Sequence, residues 1–174
     1  MTIEQLFTTY WSQLTLILLG IGYFIKRILD NISKKREINH SLFQQKRLES
    51  VNSFYSIYAK SERMWVHIRI HEIVQNKISP TDLDETIFPL LNDLKRNLLE
   101  LQIYFDDVEH ARFKNIYDNL NLINRKLSDI YFDFDQNKTN TQKSNSFQFY
   151  RDDVLEKNEL ILKKISTNLK KTFQ

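Results

Sequence analysis

Residues Gln5 to Ile25, QLFTTYWSQLTLILLGIGYFI, contain no charged side chain. As a helix rising ~1.5 Å per residue the stretch would be about 31 Å long, which matches the roughly 30 Å hydrocarbon core of a bilayer. A helix that is apolar all round could instead fill a globular core, but a chain of 174 residues with 41% hydrophobic side chains has little need of one. An interfacial helix would set a charged face against an apolar one, whereas every polar residue here is uncharged. The stretch therefore reads as a membrane-spanning helix. Tyr10 and Trp11 near one end and Tyr23 and Phe24 near the other are placed to act as interfacial anchors.

The flanks orient it. Between Lys26 and Glu37 lie five basic residues (Lys26, Arg27, Lys34, Lys35 and Arg36) against two acidic ones, while Glu4 precedes the apolar run. A cleaved signal peptide carries its positive charge on the other side, so cleavage is not expected. By the positive-inside rule the amino terminus faces outward and the remainder lies in the cytoplasm, with the basic cluster also suited to anionic lipid headgroups. The chain has no cysteine, which excludes a disulfide framework or thiolate metal site and fits a reducing compartment. The formal glycosylation acceptors at Asn31 and Asn137 then carry no consequence.

Downstream, the pattern is helical throughout and predicts an all-α protein. Both glycines, Gly20 and Gly22, lie inside the apolar run, and the only prolines are Pro80 and Pro89. Val51, Phe54, Tyr58, Trp65 and Ile68 recur at three-four spacing with Ser61 in the gap, so the first helix is expected to continue as a long stalk. A break near Asn31 to Ser33 is the alternative, because Asn and Ser compete for backbone hydrogen bonds. The strand-like alternation from Trp65 to His71 is outweighed by helical periodicity on both sides.

Asn76 to Asp82 is the first clear punctuation, where Ser79 can cap, Pro80 can take the first helical position and Asp82 favours the positive end of the helix dipole. Because Pro89 follows so soon, a cap at Asp84 or Thr86 and a helix from about Phe88 to Tyr104 is expected, buried through Leu90, Leu91, Leu94, Leu98, Leu101 and Phe105. Asp106 and Asp107 look like the cap of a third helix to about Tyr131, buried through Val108, Ala111, Phe113, Ile116, Leu120, Ile123, Leu127 and Ile130. The polar segment 133–146 reads as a surface loop or linker. A last helix from about Phe147 to Phe173 would bury Tyr150, Val154, Ile161, Ile165 and Leu169. The expected organisation is a transmembrane anchor and juxtamembrane segment over residues 1–30, then a cytoplasmic antiparallel bundle of about four helices over 31–174.

Candidate chemistry is sparse. His67 and His71 would share a helical face near Glu72, yet two ligands do not make a metal site, and Ile68 stands where a metalloprotease motif needs Glu. Asp106, Asp107, Glu109 and His110 are explained by capping, and Asp133 with Asp135 by solvation of a loop. No nucleophile, orienting partner and anion hole are spaced together, so no catalytic residue is assigned. With no glycine outside the apolar run, neither a Walker motif nor a phosphate-cradling Gly-rich loop can be present. A formal net charge of +3, with 22 acidic residues interspersed, argues against nucleic-acid binding. Lys163, Lys164, Lys170 and Lys171 read as a solvated face, with contact to a membrane surface as the alternative. No cofactor, metal or small-molecule substrate is expected.

The most functional-looking pattern is in the apolar run. Thr8, Ser12, Thr15 and Gly22 follow a three-four spacing with Leu19 in the gap, and Thr9, Gln13 and Gly20 lie alongside. Small residues let helices approach closely in lipid, and Gln13 could hydrogen-bond to a neighbouring helix, which points to association with a second copy or another membrane protein.

Two phrases, FQQKRLESV over Phe43 to Val51 leading to Tyr55, and IYFDD over Ile103 to Asp107, resemble uncharacterised small bacterial proteins with one N-terminal membrane helix and a helical cytoplasmic region. The resemblance implies a bacterial inner-membrane, single-pass, all-helical protein and carries no assigned activity; a place in membrane stress or phage defence is an analogy. The expected function is a non-enzymatic, membrane-anchored interaction, scaffold or sensor module with a protein partner or a second copy. The alternative is an oligomerising effector or toxin that permeabilises the bilayer.

Overall fold

In the computed structural model of the chain, residues 2–132 and 138–172 are described. They contain helices α1 (Ile3–His67), α2 (Ile70–Ile73), α3 (Pro80–Tyr104), α4 (Asp107–Tyr131) and α5 (Asn140–Thr172), and no strand among the described residues. The protein is all-helical, and α1 is continuous through residues 31–33. Two compact units divide the chain, Met1–Lys46 and Arg47–Gln174.

The first unit is the amino-terminal part of α1. Leu16 to Leu19 are 60–70% exposed, so this apolar surface is not covered by the protein itself. The helix is long and apolar enough to cross a membrane. Thr9 and Thr15 turn their hydroxyls back onto the helix, donating to the carbonyls of Gln5 and Trp11 at 2.8 Å each, so neither leaves a donor unsatisfied in an apolar setting.

In the second unit, α1 stops at His67, where periodicity alone predicts continuation. The Ile70 amide donates to the Ile68 carbonyl at 2.8 Å around Arg69 at φ −79°, ψ 64°, an inverse γ-turn. The end is held from outside: Arg151 Nη1 on α5 donates to the carbonyls of Trp65 and Val66 at 3.3 Å each. Those carbonyls belong to a last helical turn that has no intrahelical donor to receive. After α2 the chain closes as a Schellman motif, with the Lys77 amide on the Glu72 carbonyl at 2.9 Å and the Asn76 amide on the Ile73 carbonyl at 3.0 Å. Asn76 takes the left-handed conformation this requires, at φ 52°.

Helix α3 begins at Pro80, not near Phe88. Ser79 Oγ accepts from the Asp82 amide at 3.1 Å and Pro80 fills the first turn, which leaves Pro89 inside the helix. The early start is offset by burial of Ile87 to 2% exposure. Pro89 itself faces solvent, so the Glu85 carbonyl that loses its amide partner can be hydrated. Asp106 caps α4 through Oδ1, accepting from the Glu109 amide at 2.8 Å. Helix α5 begins at Asn140, inside the segment expected to be a loop over 133–146. Residues 133–137 lie outside the described residues, but Thr139 and Gln142 form a reciprocal capping box. The Gln142 amide donates to Thr139 Oγ1 at 3.3 Å, and the Thr139 amide donates to Gln142 Oε1 at 2.9 Å. The expected helix end at Phe173 also lies outside the described residues.

α3 packs against α4, α4 against α5, and α2 against α5. The α1 portion contributes Val51, Phe54, Tyr58, Ser61 and Trp65 to the buried interior, with Phe54 and Trp65 fully enclosed. Phe113, Ile116, Leu120, Ile123 and Leu127 of α4 are buried as their spacing predicts, whereas Val108 and Ala111 are exposed because, at about 100° per residue, they lie off the stripe those five residues form. On α5, Phe147, Leu155 and Asn158 join the expected Val154 and Ile165 in the interior.

Candidate functional site

Within the first unit, Gln13, Thr15, Gly20 and Gly22 lie on an exposed helix. A methyl group built on either glycine would meet nothing within 4 Å, so their missing side chains are not required by the protein's own packing. The side chains of Thr8 and Ser12 lie outside the described residues. Lys26, Arg27, Lys34, Lys35 and Arg36 follow on the same helix, all exposed.

In the second unit, Arg47 forms the most connected polar group near the start of its α1 portion. Its Nη2 donates to Glu109 Oε2 at 3.2 Å, and its guanidinium carbon stands 4.4 Å from the centroid of the Phe105 ring. Phe105 packs at 5.2 Å on Phe113, which meets Phe54 edge-on at 5.0 Å. Arg47 and Phe105 come one from each of the two sequence phrases quoted above. Arg47 Nε and Ser50 Oγ are buried without a hydrogen-bond partner among the described residues. The arrangement clamps α1 to the α3–α4 corner, with Glu109 serving both as salt-bridge partner and as the residue that completes the Asp106 cap.

A second polar group lies inside. Asn119 Nδ2 donates to Asn158 Oδ1 at 2.7 Å, linking α4 to α5. Tyr58 Oη is buried beside Asn158 without a hydrogen bond of good geometry, and Asn158 Nδ2 likewise lacks one. Burial first, and then the Glu62 charge, hold the Tyr58 phenol well above its usual range. Glu62 is itself pushed above the usual carboxylate range by burial and then by Glu159. A raised carboxyl pKa means the folded state holds its proton more tightly than the unfolded chain. The contribution of Glu62 to stability is therefore fully present below the ordinary Glu pKa of about 4.3 and is lost as the pH rises through the raised value. Glu62→Gln is expected to raise the melting temperature at pH 7 by about 1–2 °C, solvent screening keeping the gain small, and to change nothing below pH ~4. Thermal melts at the two pH values check this.

The histidines do not share a helical face, because α1 ends at His67 and the γ-turn separates it from His71 on α2. His71 Nδ1 instead pairs with Ser144 Oγ at 3.2 Å, tying α2 to α5. Ser144 is fully buried, so its hydroxyl has no approach for a substrate, although His71 itself is exposed. No group of three His, Cys, Asp or Glu side chains among the described residues could hold a metal ion. Asp106 and Glu109 are committed to the α4 cap, and His110 Nε2 lies 3.0 Å from the Leu98 carbonyl. The signals that could have revealed the Arg47 and Asn158 groups were faint: a charged residue and an amide each at a core position of a three-four stripe.

The chain matches no protein-family model, no curated protein and no solved structure.

Proposed function

We propose that the protein is a single-pass membrane protein whose residues beyond the apolar run form a cytoplasmic, non-enzymatic interaction module. The observation that carries this reading is the uncovered apolar surface of α1 followed directly by the basic cluster from Lys26 to Arg36. On this reading the amino terminus faces outward across a bacterial inner membrane. Residues 47–174 then form an antiparallel bundle in which α1, α3, α4 and α5 alternate in direction. Supporting that topology, Leu98 of α3 approaches His110 of α4, while Tyr55 donates to the Leu162 carbonyl at 3.0 Å and Arg151 reaches back to Trp65. Polar side chains of the interior serve helix registration or capping, which favours a scaffold over a catalyst.

The experiment is purification of the intact chain in mild detergent, followed by chemical cross-linking and native mass spectrometry. A discrete homo-oligomer or a stoichiometric protein partner is the expected result; monomer alone, with no partner captured from native membranes, overturns the proposal. A second reading, assembly of the anchor into a leak, is favoured by the exposed Gln13 within the uncharged run. In that case liposomes carrying the protein release dye and the Gln13→Leu variant does not. Equal release from both sinks that alternative.

A further inference from the structure

We propose that the groove between α4 and α5 lined by Arg112, Leu160, Lys163, Lys164, Thr167 and Asn168 is a binding site for a phosphate-bearing anion. Its volume of about 360 Å³ suits a small ligand or a headgroup. Three basic residues contribute side chains to its lining, a half-buried Arg112 from α4 and Lys163 and Lys164 from α5, and among the described residues none of the three has a carboxylate partner. Glu109, one turn before Arg112, pairs with Arg47, and among the described residues no ion pair joins Glu159 to Lys163 one turn later.

The helix dipole does not account for the cluster. Lys170 and Lys171 lie in the last turn of α5, where they complement the negative end of the helix dipole. Lys163 and Lys164 lie two turns earlier, beyond the reach of that effect. Three like charges gathered in one groove repel one another and weaken the fold unless an anion relieves them. Phosphate suits the set better than a carboxylate. Its higher charge and several oxygens can engage the planar fork of an Arg and two mobile Lys ammonium groups together. Leu160, 56% exposed at the edge, adds an apolar contact for whatever the phosphate is attached to. The site does not depend on the interaction-module reading.

The test uses the full chain in nanodiscs of zwitterionic lipid. Because the protein has no cysteine, Leu160→Cys accepts a single environment-sensitive fluorophore at the groove edge. In one arm inorganic pyrophosphate is titrated in; in the other, vesicles containing anionic phosphatidylglycerol are added, with zwitterionic vesicles as the blank. A saturable response is expected. The Arg112→Gln/Lys163→Gln variant should weaken it by about ten-fold or more, since each charge-assisted hydrogen bond contributes about that factor. Lys170→Gln/Lys171→Gln, with the same loss of net charge, should leave it intact. A response to pyrophosphate alone identifies a free phosphorylated ligand, and a response to anionic vesicles alone identifies a lipid headgroup. No saturable response in either arm, or the same loss in both variants, overturns the proposal. Circular dichroism checks folding, and the unliganded groove variant should melt no lower than the parent chain.

Discussion

Phe113→Ala is expected to destabilise residues 47–174 by about 3–5 kcal/mol, as truncation of a buried aromatic does. That is a large part of the roughly 5–15 kcal/mol available to a domain. Phe113 is 1% exposed, touches Phe54 edge-on and supports Phe105, over which Arg47 is stacked. Its removal therefore opens a cavity where Phe54 of α1 and Phe105 of the α3–α4 corner meet α4. It also loosens the partner of a nearly buried guanidinium. Urea unfolding followed by the fluorescence of the fully buried Trp65 is the measurement. The exposed Val108, on the first turn of the same helix, supplies the contrast: Val108→Ala should stay within about 0.5 kcal/mol of the parent. Equal effects of the two variants would show that Phe113 is not at the packing centre.

Pro89→Ala should act in the opposite direction and stabilise the same unit by about 2 kcal/mol. Proline in a helix interior costs ~3 kcal/mol relative to alanine, from which roughly 0.4–1 kcal/mol is recovered because proline also restricts the unfolded chain. Pro89 is exposed, so the substitution restores an amide donor for the Glu85 carbonyl without disturbing the interior. Pro80→Ala should bring no such gain, because Pro80 occupies the first turn, where its missing amide hydrogen has no intrahelical acceptor. Thermal melts of the two variants decide the matter. A lowered melting temperature for Pro89→Ala would mean that a bend at residue 89 is needed to seat Ile87 and Leu91 on α4.

The two prolines also show where reading the sequence stops. Ser79 and Pro80 form a legible helix start, but Pro89 argues against a helix that continues past it, and local chemistry alone cannot rank the two. Burial of Ile87 decides, and Ile87 lies beside Asn124, Leu127 and Tyr131 of α4, more than thirty residues on in the chain. The start of α5 was legible in principle, since Thr139 and Gln142 have capping-box spacing, yet the polar composition around them carries the opposite message. The end of α1 was not legible. Its carbonyls are received by Arg151, and only the approach of α5 puts a guanidinium there.

For the candidate sites the division is the same. The apolar run, its basic flank and the small and polar residues within it are consecutive on one helix, so spacing alone places them. The convergence of Arg47 with Phe105 and Glu109, of Asn119 with Asn158, and of Arg112 with Lys163 and Lys164 joins residues from different helices.

By itself the sequence determined that this protein is helical, that one helix is long and apolar enough to cross a bilayer, and that the stripes from Leu91 to Leu101 on α3 and from Phe113 to Leu127 on α4 are buried. Each follows from composition and from periodicity along a single helix, which act over a few turns. Tertiary structure alone decided where α1 ends, that α3 carries a proline in its interior, and which cations share the groove between α4 and α5. Those outcomes depend on burial and charge contributed by a neighbouring helix, and no local pattern encodes which side chains the neighbour will present.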